Sequence, residues 1–389
     1  MRQIKEILKD PFKPFGTVKE NLRFVLLNGN LFYDTIPKDI RYETTPKECV
    51  ILGCPKGKNT KSAGGVMNTK WNVPKEVHEA AEAQKGLHWA LEILIFIAVF
   101  FVCTIGEAVV MIPVQMVMLM RDPNYLNAVI TGDVSGITEA AFGTVNTDLY
   151  TIFSLFATAV MIVIVLLFCK LIQKRKLSTL GFVKQGAAKE YLKGIVIGFV
   201  MFSAAVLICV LTGALKLSDF GDNFGLPVFL LFTAGYMVQG MAEEVLCRGY
   251  FMVSFGRRYP MAAAACINSA AFAALHLLNP GIAPLAIVNL FLFGLFASIC
   301  FIQTENIWMV GAIHSVWNLV QGNVYGIKVS GLETSCSLLS STATEGRELL
   351  HGGAFGLEGG LAVTIILAAA ILICLFLKKE HMDRSEEEL

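Results

Sequence analysis

Eight apolar runs divide this chain, at about 89–112, 149–170, 194–215, 226–250, 260–279, 283–303, 306–322 and 359–377, each long enough or nearly long enough to cross a bilayer as a helix. The runs at 260–279 and 306–322 are short and carry polar groups. In 389 residues of which 55% are hydrophobic and 16% charged, such runs specify an all-α fold, a polytopic transmembrane helix bundle of about eight spans.

The connections between the runs give an independent reading of topology. Lys170, Lys174, Arg175, Lys176, Lys184, Lys189 and Lys193 lie between the second and third runs, Arg257 and Arg258 between the fourth and fifth, and Lys378, Lys379 and Arg384 after the last. The intervening connections hold only Arg121, Lys216, Lys328 and Arg347. This bias predicts a multi-pass integral membrane protein with both termini in the cytoplasm. The long connections 121–148 and 323–357 read as solvated linkers outside the membrane, with a re-entrant or capping element over the external face as the alternative. A net charge of +1 gives no reason to expect a nucleic-acid partner.

Residues 1–85 are polar and mixed, interrupted by Pro11, Pro14, Pro37, Pro46, Pro55 and Pro74, and read as a small cytoplasmic N-terminal extension without a signal peptide. Residues 86–380 form the transmembrane domain, and 381–389 an acidic C-terminal tail. The segment from Gly53 resembles a phosphate-binding loop but spaces its glycines one residue too closely, so no nucleotide site is expected. Cys49 and Cys54 lack a second pair, and the other cysteines are scattered singly, mostly as small fillers between helices.

The fourth run contains the segment 239–250, which places Glu243, Glu244 and Arg248 in a helix otherwise suited to lipid. Each charge near a bilayer centre costs roughly 2.5–3.5 kcal/mol on insertion scales. Glu244 and Arg248, four residues apart, share a helix face and can neutralise one another. Glu243 points about 100° away and is free to face a polar cavity. His276 and His314 lie deep in other apolar runs, His276 a turn after Phe272 and His314 a turn before Asn318, with Trp317 and Gln321 following. Convergence of these polar faces gives each group a partner and leaves none in lipid. Phe272, Trp317 and Gln321 are then expected as walls of the cavity. His276, His314 and Asn318 offer a ligand set for a divalent metal that leaves a position for water; without a metal, Glu243 and His276 can activate water between them. Taken singly, each feature has a structural use as an ion pair, an interhelical hydrogen bond or a packing group. Their joint occurrence carries the information.

The ordered set Glu243-Glu244-x-x-x-Arg248, Phe272-x-x-x-His276 and His314-x-x-x-Asn318 resembles the motif series of the type II CAAX prenyl protease and bacteriocin-processing family, the CPBP or Abi intramembrane proteases, over about 226–322. The resemblance implies a membrane endopeptidase in which Glu243 corresponds to the catalytic acid and His276 shares the activation of water. It further implies that His314 and Asn318 are the remaining ligands or oxyanion partners, that Glu244 and Arg248 support them, and that zinc is the expected metal. The sequence lacks His-Glu-x-x-His, so the arrangement of soluble zinc proteases is absent.

The expected substrate is a membrane-associated peptide or protein, such as a lipidated tail or a leader peptide, cut near the cytoplasmic side of the bilayer. Two other readings belong to different classes: a non-catalytic immunity or scaffold protein, and a transporter relaying protons through Glu and His. No inverted internal repeat supports the transporter.

Overall fold

The computed structural model describes residues 22–27, 30–35, 73–221 and 223–387. The chain divides into two compact units, Met1–Met67 and Asn68–Leu389. In the first, β1 (Leu22–Leu27) pairs antiparallel with β2 (Asn30–Thr35), Leu22 opposite Thr35 and Leu27 opposite Asn30. The all-α expectation passed over this hairpin, although Asn28-Gly29 between the strands is a strong signal for a two-residue turn. Cys49, Cys54 and the segment from Gly53 lie outside the described residues.

The second unit begins earlier than the expected boundary at 85. It includes α1 (Lys75–Ala83), which buries Glu76, Val77 and Ala80 and packs against the turn Leu177–Leu180 and the helical segment Val253–Gly256.

Every apolar run is mainly helical, although the run at 194–215 leaves its helix after Leu211 and that at 260–279 after Leu275. In chain order come α2 (Trp89–Leu119), the short α3 (Pro123–Thr131) and α4 (Val134–Val145), α5 (Asp148–Ile172), α6 (Ala187–Leu211) and α7 (Leu226–Glu244). They are followed by α8 (Met261–Leu275), α9 (Pro284–Thr304), α10 (Ile307–Leu319) and α11 (Leu361–Glu387). Among the described residues, α2, α5, α6 and α9 are long and apolar enough to cross a membrane. At 31 residues α2 is about 46 Å long at 1.5 Å per residue, well beyond the hydrocarbon thickness.

α7 does not stop at Glu244. It continues through the widened turns Val245–Met252 and then Val253–Gly256, and α10 widens likewise over Val320–Val324. Such i→i+5 turns are rare in helices and concentrate at functional sites. α7 and α10 approach so closely that a Cβ on Gly240 would lie 2.6 Å from the Ser315 backbone nitrogen.

The two long connections are not solvated linkers. Residues 121–148 hold α3 and α4, capped by Asp122 and Asp133 accepting from Asn124 N and Ser135 N. In 323–357, β4 (Leu339–Ala343) pairs antiparallel with β3 (Leu215–Phe220), and the Asp148 carboxylate accepts from Ser335 N, Ser335 Oγ and Cys336 N at 2.8, 2.6 and 3.0 Å. Backbone and side-chain donors in the connection thus have fixed partners, and the segment is built into one end of the bundle.

The other end is tied by buried charge. Arg257 Nη2 lies 3.0 Å from Glu92 Oε1, with both side chains 1% exposed. Arg175, one of the basic residues between the second and third runs, is 2% exposed; its guanidinium donates to Thr179 O, Gly249 O, Gln173 Oε1 and Ser254 Oγ at 3.0–3.1 Å. It is drawn in because the widened turns after Glu244 and the turn at Thr179 present carbonyls that need a donor.

Candidate active site

α7, α8 and α10 converge on Glu243. His276, at the C-terminal end of α8, donates from Nδ1 to Phe272 O at 2.9 Å, a carbonyl that can only accept. In the neutral imidazole, Nε2 is then an acceptor, and it lies 3.9 Å from Glu243 Oε2. His314, seven residues into α10, places Nδ1 2.9 Å from Glu244 Oε1 and Nε2 3.8 Å from Glu243 Oε2. Two imidazole nitrogens on different helices therefore flank one carboxylate oxygen, at separations too long for direct hydrogen bonds and suited to a shared water.

A separate network holds these groups. Glu244 Oε1 also accepts from Arg248 Nη1 at 2.8 Å, with both side chains 0% exposed, so the i,i+4 pair read from the sequence carries His314 as a third member. Arg248 Nη2 donates to Gly294 O at 3.0 Å and the guanidinium lies over the Phe272 ring at 4.8 Å. On the other side of Glu243, Asn318 Nδ2 donates to Gln239 Oε1 at 3.0 Å, and Gln239 Nε2 in turn donates to Glu243 Oε1. The acid is oriented by a relay of two amides, and its neighbour Glu244 by a guanidinium.

These groups line a cavity of about 280 Å³. Phe272 and Trp317 form part of its wall. Phe272 stands between the imidazoles, with ring centroids 4.8 Å from His276 and 5.8 Å from His314. Gln321, expected as wall, is not among the lining residues: its amide donates to Lys328 O and fastens the connection after α10. The register of that face changes at the widened turns from Val320.

The expected metal set was His276, His314 and Asn318. Asn318 lines the cavity but spends an amide hydrogen on Gln239, and among the described residues no group of three or more His, Cys, Asp or Glu side chains is arranged to hold a metal ion. Glu243 and the imidazoles are placed to share a water without a third ligand.

The cavity also lies differently along the bundle than expected. Cleavage near the cytoplasmic side would put Glu243 close to the basic end, at Arg257 and Arg258, but the helix continues from Glu244 to Gly256, which separates it from that end by roughly 15–20 Å. From Glu243 the cavity extends to the opposite end, where Asn279, Ser330, Leu332 and Thr334 line it.

Among the lining residues that had no place in the sequence reading of the site are Gln239, Tyr236, Glu107 and Glu358. Gln239 and Tyr236 precede Glu243 by four and seven residues on the same helical face, a spacing that could have found them. Glu358 accepts from Trp317 Nε1 at 3.2 Å and from Ser330 N and Oγ at 2.8 and 2.9 Å, joining the cavity wall to the outer connection.

Residues 225–320 match the family model described as Rce1-like, type II CAAX prenyl endopeptidase. No curated protein and no solved structure matches the chain. The matched quarter contains Glu243, Glu244, Arg248, His276, His314 and Asn318; Glu107 and Glu358 lie outside it.

Proposed function

We propose that this chain is a glutamate-dependent intramembrane endopeptidase of the CAAX-protease type, hydrolysing a peptide bond in a membrane-associated protein or peptide. The observation that carries the reading is the convergence of His276 Nε2 and His314 Nε2 on Glu243 Oε2, at 3.9 and 3.8 Å, inside a cavity of about 280 Å³. The match of 225–320 to the Rce1-like model supports the same chemistry.

In this mechanism a water between Glu243 and His276 gives one hydrogen bond to the carboxylate and one to Nε2, which the Phe272 carbonyl keeps free of a proton. Glu243 takes a proton as the water oxygen attacks the scissile carbonyl carbon. Asn318 has one amide hydrogen committed to Gln239 and a second available for the oxygen that becomes negative. Collapse of the tetrahedral intermediate breaks the carbon–nitrogen bond, and the proton held by Glu243 passes to the leaving amine. Glu244 and Arg248 fix the tautomer and position of His314 without touching the reacting atoms.

The test compares wild type, Glu243→Gln and His276→Ala, purified and returned to liposomes, on a pool of prenylated and unmodified membrane-associated peptides read by mass spectrometry. Cleavage by wild type and a fall of about 10²–10⁴-fold in each variant is expected for loss of a general base or its partner. Equal cleavage by wild type and Glu243→Gln would overturn the assignment.

A further inference from the structure

Three carboxylates line the cavity, Glu107, Glu243 and Glu358, and no lysine or arginine does. Two of the three are answered by neighbours: Glu243 by Gln239 and the imidazoles, Glu358 by Trp317 and Ser330. Glu107 is not. Its Oε1 is buried and has no hydrogen-bond partner among the described residues.

The position of Glu107 is fixed by its helix. Cys103 and Met111, one turn to either side on α2, are buried, so the same face carries Glu107 inward. Gly106 beside it lies against Val160 and Ile164 of α5. The rest of α2 faces outward, with only 17% of its apolar window buried, so nothing about its packing calls for a glutamate. An unanswered carboxylate in such a helix costs roughly 2.5–3.5 kcal/mol on insertion scales and marks a functional position by default.

The neighbouring wall has the same chemical bias. Thr151, Ser154 and Thr158 of α5 line the cavity, and each gives its hydroxyl hydrogen back to its own helix, to Thr147 O, Thr151 O and Leu155 O at 3.1, 2.8 and 2.6 Å. Their oxygens remain as acceptors. Tyr236 is 4% exposed, lines the same cavity and has a hydroxyl with no hydrogen-bond partner among the described residues. Acceptors gathered around an unanswered acid suit a hydrogen-bonding cation and repel a carboxylate.

We propose that Glu107 is a specificity residue, receiving the ammonium or guanidinium of a Lys or Arg side chain of the substrate within a few residues of the scissile bond. The proposal rests on the protease reading and deepens it: the favoured substrate is cut at an internal bond near a cationic side chain rather than beside a free C-terminal carboxylate. Glu107 lies outside the family-matched segment, so this selectivity belongs to the part of the chain that surrounds the matched core.

The test measures binding first, so that it does not depend on turnover. Two membrane-associated peptides, identical except for Lys against norleucine and made uncleavable by backbone N-methylation, are titrated against the full chain in nanodiscs. Wild type binds the Lys peptide about tenfold more tightly; Glu107→Gln, with an unchanged melting temperature, binds the two alike; Glu107→Lys prefers a Glu-bearing third peptide. Equal binding of both peptides by wild type overturns the proposal, as does an equal loss for both in Glu107→Gln. Binding of the norleucine peptide that rises with added sodium or magnesium salt to the level of the Lys peptide assigns the acceptors to an inorganic cation and also overturns it. Cleavable versions of the same peptides report on the protease reading separately: a retained Lys preference in binding without any cleavage removes that reading and keeps this one.

Discussion

His314 Nδ1 lies 2.9 Å from Glu244 Oε1, the same oxygen that Arg248 reaches at 2.8 Å. One buried carboxylate oxygen therefore sets both the charge balance of α7 and the orientation of an imidazole on α10. The adjacent Glu243, with a side chain 21% exposed, has a different load. Glu244→Gln leaves the Arg248 charge buried without a counter-charge, which typically costs about 3–5 kcal/mol. We expect it to lower the melting temperature strongly and to reduce activity with it. Glu243→Gln is expected to abolish activity with little change in melting temperature, a split that side-by-side thermal melts and peptide assays resolve.

Arg175 holds the widened turns after Glu244 from outside the cavity, through Gly249 O and Ser254 Oγ. Arg175→Leu strands buried carbonyls at 1–3 kcal/mol each, so a loss of about 2–4 kcal/mol is expected. Arg175→Lys should recover little of it, because a single ammonium cannot reach the several directions the guanidinium serves. Thermal melts in one detergent check both; a Lys variant as stable as wild type would refute the multi-dentate role.

Removal of metal is expected to leave activity unchanged. Asn318 donates to Gln239, and in the proposed mechanism the chemistry runs through Glu243 and His276. The check is cleavage after dialysis against a strong chelator; loss restored by zinc would place a metal between the Nε2 atoms.

Glu76 of α1 gives a pH dependence outside the membrane. Burial, reinforced by the nearby Glu305 and Glu79 carboxylates, pushes its carboxyl up from 4.5 to about 7. The folded state thus binds this proton more tightly than the unfolded chain, so the docking of α1 is strongest below pH 4.5. It weakens as pH rises towards about 7, and beyond that the penalty is constant. Hydrogen exchange of Val77 and Ala80 amides should accelerate between pH 5 and 8 in wild type, beyond the intrinsic rise, and Glu76→Gln should remove that excess.

The basic connections lie at one end of the bundle and the cavity reaches the other, at Leu332 and Ser330. If the charge bias sets the orientation, the mouth is expected to face away from the cytoplasm. A cysteine at Leu332, which is 56% exposed, should react with an impermeant maleimide on intact cells in a background without other reactive thiols, and one at Ser178 only after permeabilisation. The reverse pattern would invert the orientation.

Much of the site was legible because its rules are local or enforced by lipid. Glu244 and Arg248 meet through a spacing visible in the sequence, and Glu243, His276 and His314 have few places to go inside a bilayer except towards each other. What escaped depended on partners far along the chain. Glu107 stands alone in its run, and nothing in α2 says which helix it faces. Arg175 is buried because carbonyls of another helix's widened turns want it. The glycines of 323–357 read as flexibility, yet Gly331 and Gly356, at φ +88° and +95°, are needed where the chain crowds Pro280 O and Lys328 O, so the same composition makes a close-packed element.

Gly240 gives the site its gauge. The helices bearing Glu243 and His314 meet there at Ser315, whose backbone nitrogen and Oγ would each lie 2.6 Å from a Cβ on Gly240. The width across which acid and imidazole face each other is consequently set by the bare Gly240 backbone against the smallest of hydroxyl side chains. A site ruled in this way tolerates variation in its walls and almost none in its hinge-point of contact: even alanine at 240 acts as a shim one methyl thick, wedging apart two groups it never touches.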